Sequence, residues 1–135
     1  MSYWLLKTEP QDFSWNDMVR SNITVWGNVL NYQAQGYLKL MKFNDLAFFY
    51  HSGTEKSIIG IVSIYKEFYR LNENDKFGVV DVKIHTKLKK TVHLQDIKLE
   101  TNLKNLIMLR QPRLSVSPIT EKEWNSILEI SETSL

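Results

Sequence analysis

The sequence predicts a single α+β domain, residues 1–135, in which five to six strands form an antiparallel or mixed sheet curled into a barrel with short helices around it. Three observations lead there. The chain has 135 residues, 43% hydrophobic and 24% charged, which suits one domain with one sizeable core. Apolar runs of strand length follow one another mostly at hairpin spacing. Stretches with helical periodicity are short and do not alternate regularly with the strands, which argues against a doubly wound parallel sheet.

Tyr3 to Leu6 reads as a short buried strand that ends before Glu9-Pro10. Ser14, with Asp17 three residues on, marks an N-cap for a helix over Trp15 to Arg20. Ile23 to Trp26 is β-branched and extended. Ala34, Tyr37, Leu38 and Met41 recur at helical spacing and predict a helix over Asn31 to Met41, weakened at Gly36 by about 1 kcal/mol relative to alanine. Leu46 to His51 is a continuous apolar strand, followed by a turn at Ser52-Gly53-Thr54. Ser57 to Phe68 is a long strand in which Gly60 signals a bulge or a close backbone approach. From Phe77 to Leu88, Val80, Val82 and Ile84 alternate with Asp81, Lys83 and His85, the pattern of a half-exposed strand. Lys89-Lys90 is read as a turn and Val92 to Leu94 as the returning strand. Short helical pieces are expected at Gln95 to Leu99 and Leu103 to Met108, and a last strand at Arg113 to Val116. Thr120 and Glu123 form a capping box that opens a helix over Trp124 to Ile130.

Composition excludes several chemistries. There is no cysteine, so disulfides, thiol nucleophiles and cysteine-held metals or clusters are out. No apolar run approaches the roughly 18 residues of a membrane span. The start, Met1 to Lys7, has no basic leader before an apolar stretch, so a cytoplasmic location is expected. The three histidines, His51, His85 and His93, do not form a ligand set of three or four, and no metal is expected. No glycine loop for phosphate and no nucleophile elbow is present, so no cofactor is expected. Charge is uneven. Residues 76–113 carry nine basic against three acidic groups, and residues 114–135 carry one basic against four acidic. The basic middle can attract phosphate or can be a solvated lysine-rich hairpin.

Four tryptophans remain to be explained: Trp4, Trp15, Trp26 and Trp124. Trp15 and Trp124 follow helix caps and read as core. Trp26 stands at a strand end beside Gly27-Asn28, where an indole can hold a planar base by stacking or simply fill the core.

The residues in order match a known family. Tyr3-Trp4-Leu5-Leu6-Lys7-Thr8-Glu9-Pro10 and Phe13-Ser14-Trp15 resemble the opening of the EVE family. Trp26-Gly27-Asn28-Val29-Leu30-Asn31-Tyr32-Gln33-Ala34 is similar to its Trp-x-Gly-Val-Arg-Asn-Tyr-Gln-Ala motif. Phe49-Tyr50-His51-Ser52, Ile59-Gly60-Ile61-Val62, Arg113-Leu114-Ser115-Val116 and Trp124 follow in the family's order. The resemblance implies a PUA-like fold with a pocket for a flipped, modified base: modified cytosine in DNA, or a modified base in RNA as in the related YTH domains. It implies a pocket lined by Lys7, Thr8 and Glu9, by Trp26 with Asn31, and by Tyr50, His51 and Ser52, with Arg113 and Ser115 close by. The implied partner is nucleic acid; separately, a monomer and no membrane contact are expected.

Three positions depart from the family's pattern. Leu30 replaces the motif arginine, Gln35-Gly36 stands where Arg-Asn is common, and Asn28 takes the place of the motif glycine. Two lost arginines remove two possible phosphate contacts, which leaves three outcomes open: weaker binding, another ligand, or use of the lysines at 83–90 instead. An enzyme acting on a nucleoside, nucleotide or RNA is the alternative, with Glu9 or His51 as base and Lys7 as electrostatic support. A protein-interaction module using the acidic C-terminal helix is a third.

Overall fold

The computed structural model describes residues 1–135. In chain order the elements are β1 (Tyr3–Thr8), α1 (Trp15–Ser21), β2 (Ile23–Trp26), α2 (Tyr32–Leu40), β3 (Leu46–His51), β4 (Ser57–Tyr69), β5 (Val79–His93), α3 (Leu94–Leu99), a 3-10 turn (Thr101–Leu103), α4 (Ile107–Arg110), β6 (Val116–Ile119) and α5 (Glu121–Ile130). The strands make one mixed sheet in the order β2-β5-β4-β3-β1-β6. Only β1 and β3 run parallel, and the chain between them supplies the long crossover that parallel pairing needs.

Alternation along the central strands feeds two cores. Trp4 and Leu6 of β1 and Ala47 and Phe49 of β3 join Trp15 and Met18 of α1 and Ala34 and Leu38 of α2 on one face. Leu5, Phe48 and Tyr50 turn to the other face, against Ile97, Leu103, Met108, Trp124 and Ile127. Helices on both faces explain why Leu46 to Tyr50 is apolar without a break. Trp124 lies stacked on Phe48 with ring centroids 3.9 Å apart, and Trp15 packs edge-on against Phe49 at 5.2 Å. Register shifts between β3 and β4 and along β4–β5 mark bulges, which add twist and bend the sheet. The sheet therefore curls, but it does not close: β2 and β6 remain at opposite edges.

The capping boxes at Ser14/Asp17 and Thr120/Glu123 are both present, with side chain and backbone bonded reciprocally. Two expectations are corrected. There is no turn at Lys89-Lys90; β5 continues, with a bulge between Lys87 and Val92, to His93. The reason is non-local. β2 pairs only with Val80 to Lys83, and the C-terminal tail takes over further along, where Lys89 N–H donates to Thr133 Oγ1 at 2.9 Å and Lys90 N–H to the Ser131 carbonyl at 3.0 Å. His85 and His93 thus lie on one strand rather than across a hairpin, with a bulge between them. The last strand is β6, three residues later than expected, and it includes Pro118. Proline is tolerated because β6 is an edge strand bonded only to β1.

Candidate functional site

The parallel pair creates the site. Thr8 of β1 is in register with His51 of β3, so the chain leaves both strands at the same end of the sheet. Beyond them opens a cleft of about 500 Å³, within the roughly 300–1,000 Å³ of small-ligand sites. One wall is Lys7, Thr8, Glu9 and Asp12. A second is Val25 to Val29, a third Ser52 and Gly53, and a fourth Pro112, Arg113 and Ser115.

Backbone bonds tie these walls before any ligand arrives. Lys7 N–H donates to the Ser115 carbonyl and Ser52 N–H to the Thr8 carbonyl, both at 2.9 Å. The Thr8 hydroxyl donates to the Phe13 carbonyl at 3.0 Å. Gln35, buried in α2, clamps the rim. Its amide donates to the Val29 carbonyl at 2.8 Å and the Gly78 carbonyl at 3.0 Å, and accepts from Gly78 N–H at 2.9 Å. Asn28 sits at φ 58°, in the left-handed region, where asparagine is among the best-tolerated substitutes for glycine. That conformation accounts for Asn28 standing where the motif has glycine.

Charges lining the cleft balance: Lys7 and Arg113 against Glu9 and Asp12. Lys7 Nζ donates to the Pro112 carbonyl at 2.9 Å and lies 5.7 Å from the Tyr50 ring centroid. Burial pulls its amine below the ordinary 10.5. Burial also pushes the Tyr50 phenol up.

Of the ten residues singled out from sequence, Lys7, Thr8, Glu9, Trp26, Ser52, Arg113 and Ser115 share this cleft. Trp26 keeps only 7% of its surface exposed and packs edge-on to Phe49 and Phe13, so it offers the cleft a small part of its ring rather than an open face. Tyr50 points to the opposite side of the sheet from His51, as strand alternation requires, and lines an adjoining compartment. Asn31 caps α2, its Oδ1 accepting from Ala34 N–H at 2.9 Å, and borders a separate shallow depression beside Arg113. His51 lines neither the cleft nor the compartment. Its Nε2 accepts from Trp15 N–H at 3.0 Å, which places the ring proton on Nδ1, where it donates to Glu55 at 2.9 Å. His51 thereby satisfies an orphan amide at the start of α1.

Asp12, Gly53 and Pro112 are cleft residues that sequence reasoning passed over. Gly53 carried a turn signal; Asp12 and Pro112 carried none. Leu30 is exposed, and nothing would meet a side chain at Gly36 within 4 Å. None of Lys83, Lys87, Lys89 and Lys90 lines the cleft, and Lys90 is paired with Glu132. No three of the His, Asp and Glu side chains come together as metal ligands do, and no helix is long and apolar enough to cross a membrane.

Comparison with known proteins extends the geometry. The EVE domain family model matches residues 2–130. Thymocyte nuclear protein 1 of Gallus gallus is 33% identical over 166 aligned positions, which span 96% of this chain and 69% of that protein. The Homo sapiens protein of the same name is 30% identical over 97% of this chain and 74% of its own length. Among solved structures, Rpa0253 from Rhodopseudomonas palustris superposes with a TM-score of 0.92 at 34% identity, covering 98% of this chain and 94% of that one. Human THYN1 in complex with 5-methylcytosine-containing DNA superposes with a TM-score of 0.90 at 29% identity, covering 100% of both chains. The ZmASCH protein of Zymomonas mobilis, 11% identical with a TM-score of 0.61, shares the fold alone.

Proposed function

The chain belongs to the EVE domain family, and on that premise we propose that its cleft receives a modified cytosine turned out of DNA and holds it without catalysing a reaction. The observation that carries this reading is the whole-chain superposition on human THYN1 bound to 5-methylcytosine-containing DNA.

The cleft's chemistry supports it. Turning a base out costs a few kcal/mol of stacking and pairing, which the pocket must return. Thr8, Ser52 and Ser115 supply hydroxyls for a base edge, and Glu9 and Asp12 supply carboxylates for an exocyclic amine. The tied walls are preorganised, so little ordering is left to oppose binding. Arg113, exposed at the rim, suits a phosphate that positions the strand without reading it. Catalysis has less to work with. Both ring nitrogens of His51 are engaged and the ring faces the interior, which leaves Glu9 without a partner base.

Anisotropy titrations of two short DNA duplexes, identical except for one 5-methylcytosine, test this. The methylated duplex is expected to bind roughly tenfold tighter or more, the worth of one methyl group in a fitted pocket. Both affinities fall as salt rises, and Arg113→Ala weakens both alike. Equal affinity for the two duplexes contradicts the reading. Tighter binding of a methylated RNA moves the partner from DNA to RNA, and turnover of the bound oligonucleotide restores the enzyme reading.

A further inference from the structure

A second compartment of about 320 Å³ adjoins the cleft, sharing Lys7, Ser52, Gly53 and Pro112 with it. Its charge is of a different kind. Where the cleft balances two cations against two carboxylates, this compartment is lined by Lys7, Lys56 and Lys98 and by no acidic residue. The acid nearest in sequence, Glu55, bonds to the ring of His51 and lines not this compartment but the depression on the other side of Lys56 and Lys98. The rest of the lining includes Tyr50 and Met108, which give an apolar wall. Three ammonium groups around an apolar wall suit an anion attached to an organic group better than a free base.

We propose that this compartment holds the phosphate and sugar of the nucleotide next to the flipped one, so that the two cavities divide a strand between them: base in the neutral cleft, backbone in the cationic compartment. The proposal rests on the reading of the cleft given above. A second observation favours it. Lys56 holds φ 45°, a left-handed backbone that costs a lysine strain glycine would not feel. Its carbonyl accepts from Leu94 N–H at 2.8 Å, so the strained loop is held against the start of α3, the helix that carries Lys98. The loop thus sets one ammonium beside another where a glycine would have been the easier residue.

That geometry also supplies a clean variant. Lys56→Gly removes the amine while suiting the backbone, and Lys98→Ala removes the other from an exposed helical position. The double variant should fold as the wild type does, which circular dichroism and melting check. Against the methylated duplex it should bind roughly tenfold more weakly at 0.1 M salt, with the slope of log affinity against log salt smaller by about 1–2. The ratio of methylated to unmethylated affinity should not change, nor should binding of the free nucleoside 5-methyl-2′-deoxycytidine, which has no phosphate. Unchanged affinity and salt slope in the variant, with wild-type discrimination intact, overturns the proposal and leaves the cleft reading standing. A collapsed methylated-to-unmethylated ratio in the variant also overturns it, because the lysines would then read the base. A wild type that does not discriminate overturns the cleft reading and this proposal with it.

Discussion

Gly60→Val is expected to destabilise the protein by about 3–5 kcal/mol, enough to lower its melting temperature by roughly 10–20 °C. Gly60 lies in the middle of β4, buried under the indole of Trp15, and a Cβ added there would meet Trp15 Cη2 at 2.4 Å. The indole cannot retreat cheaply. It packs edge-on against Phe49, and its own backbone N–H is held by His51. The added side chain must either eject a buried tryptophan or bend a central strand. Thermal melts of Gly60→Val, Trp15→Leu and the double variant measure this as a cycle. The double variant should lose clearly less than the sum of the singles, because removing the indole removes the clash. Additive losses would mean that the two residues do not meet.

Asp45→Ala is expected to cost about 3 kcal/mol. The Asp45 carboxylate is buried and accepts from Ser2 N–H and Trp4 Nε1–H, each at 3.1 Å, and from Lys42 N–H at 2.9 Å. Removing it leaves the indole N–H of Trp4 buried with nothing to bond, in a protein that has no other unsatisfied buried side-chain atom. The loss therefore exceeds that of one exposed hydrogen bond. Chemical denaturation of Asp45→Ala, alone and with Trp4→Phe, checks the mechanism. Trp4→Phe removes the orphaned donor, so the second substitution should cost less in the Asp45→Ala background than in the wild type.

Local chemistry made much of the fold legible. Ser14 with Asp17 and Thr120 with Glu123 are bonds within four residues, and they formed as read. Gly60 carried its own signal, because a glycine inside an apolar strand needs a neighbour at its backbone. Lys89-Lys90 misled because strand continuation there depends on Ser131 and Thr133, more than forty residues away, which no local pattern announces. The curled mixed sheet is as expected, but it stops short of a barrel, because closure requires pairing between β2 and β6, which the order of strands does not provide.

The site was legible where resemblance and strand geometry agree. Lys7, Thr8, Glu9 and Ser52 meet because β1 and β3 end together, and Ser115 joins through its bond to Lys7. Tyr50 and His51 were grouped with them, yet adjacent strand residues face opposite ways, and only Ser52 beyond the strand end reaches the cleft. The cationic compartment was not legible as a site, although Lys7, Tyr50 and Ser52 of its lining were singled out. Lys56 and Lys98 lie in stretches with no motif, and the sequence's basic segment drew attention to Lys83 through Lys90, which line no part of the cleft.

On the proposed function, the cleft at the ends of β1 and β3 takes in the modified base itself. Amide chemical shifts of isotopically labelled protein, followed as 5-methyl-2′-deoxycytidine is added, test it most directly. Saturable shifts are expected, concentrated at Thr8, Gly27, Ser52, Gly53 and Ser115, with smaller ones for unmethylated deoxycytidine. Methylated DNA that binds while these five amides stay still, or a nucleoside whose shifts gather elsewhere on the surface, would contradict it.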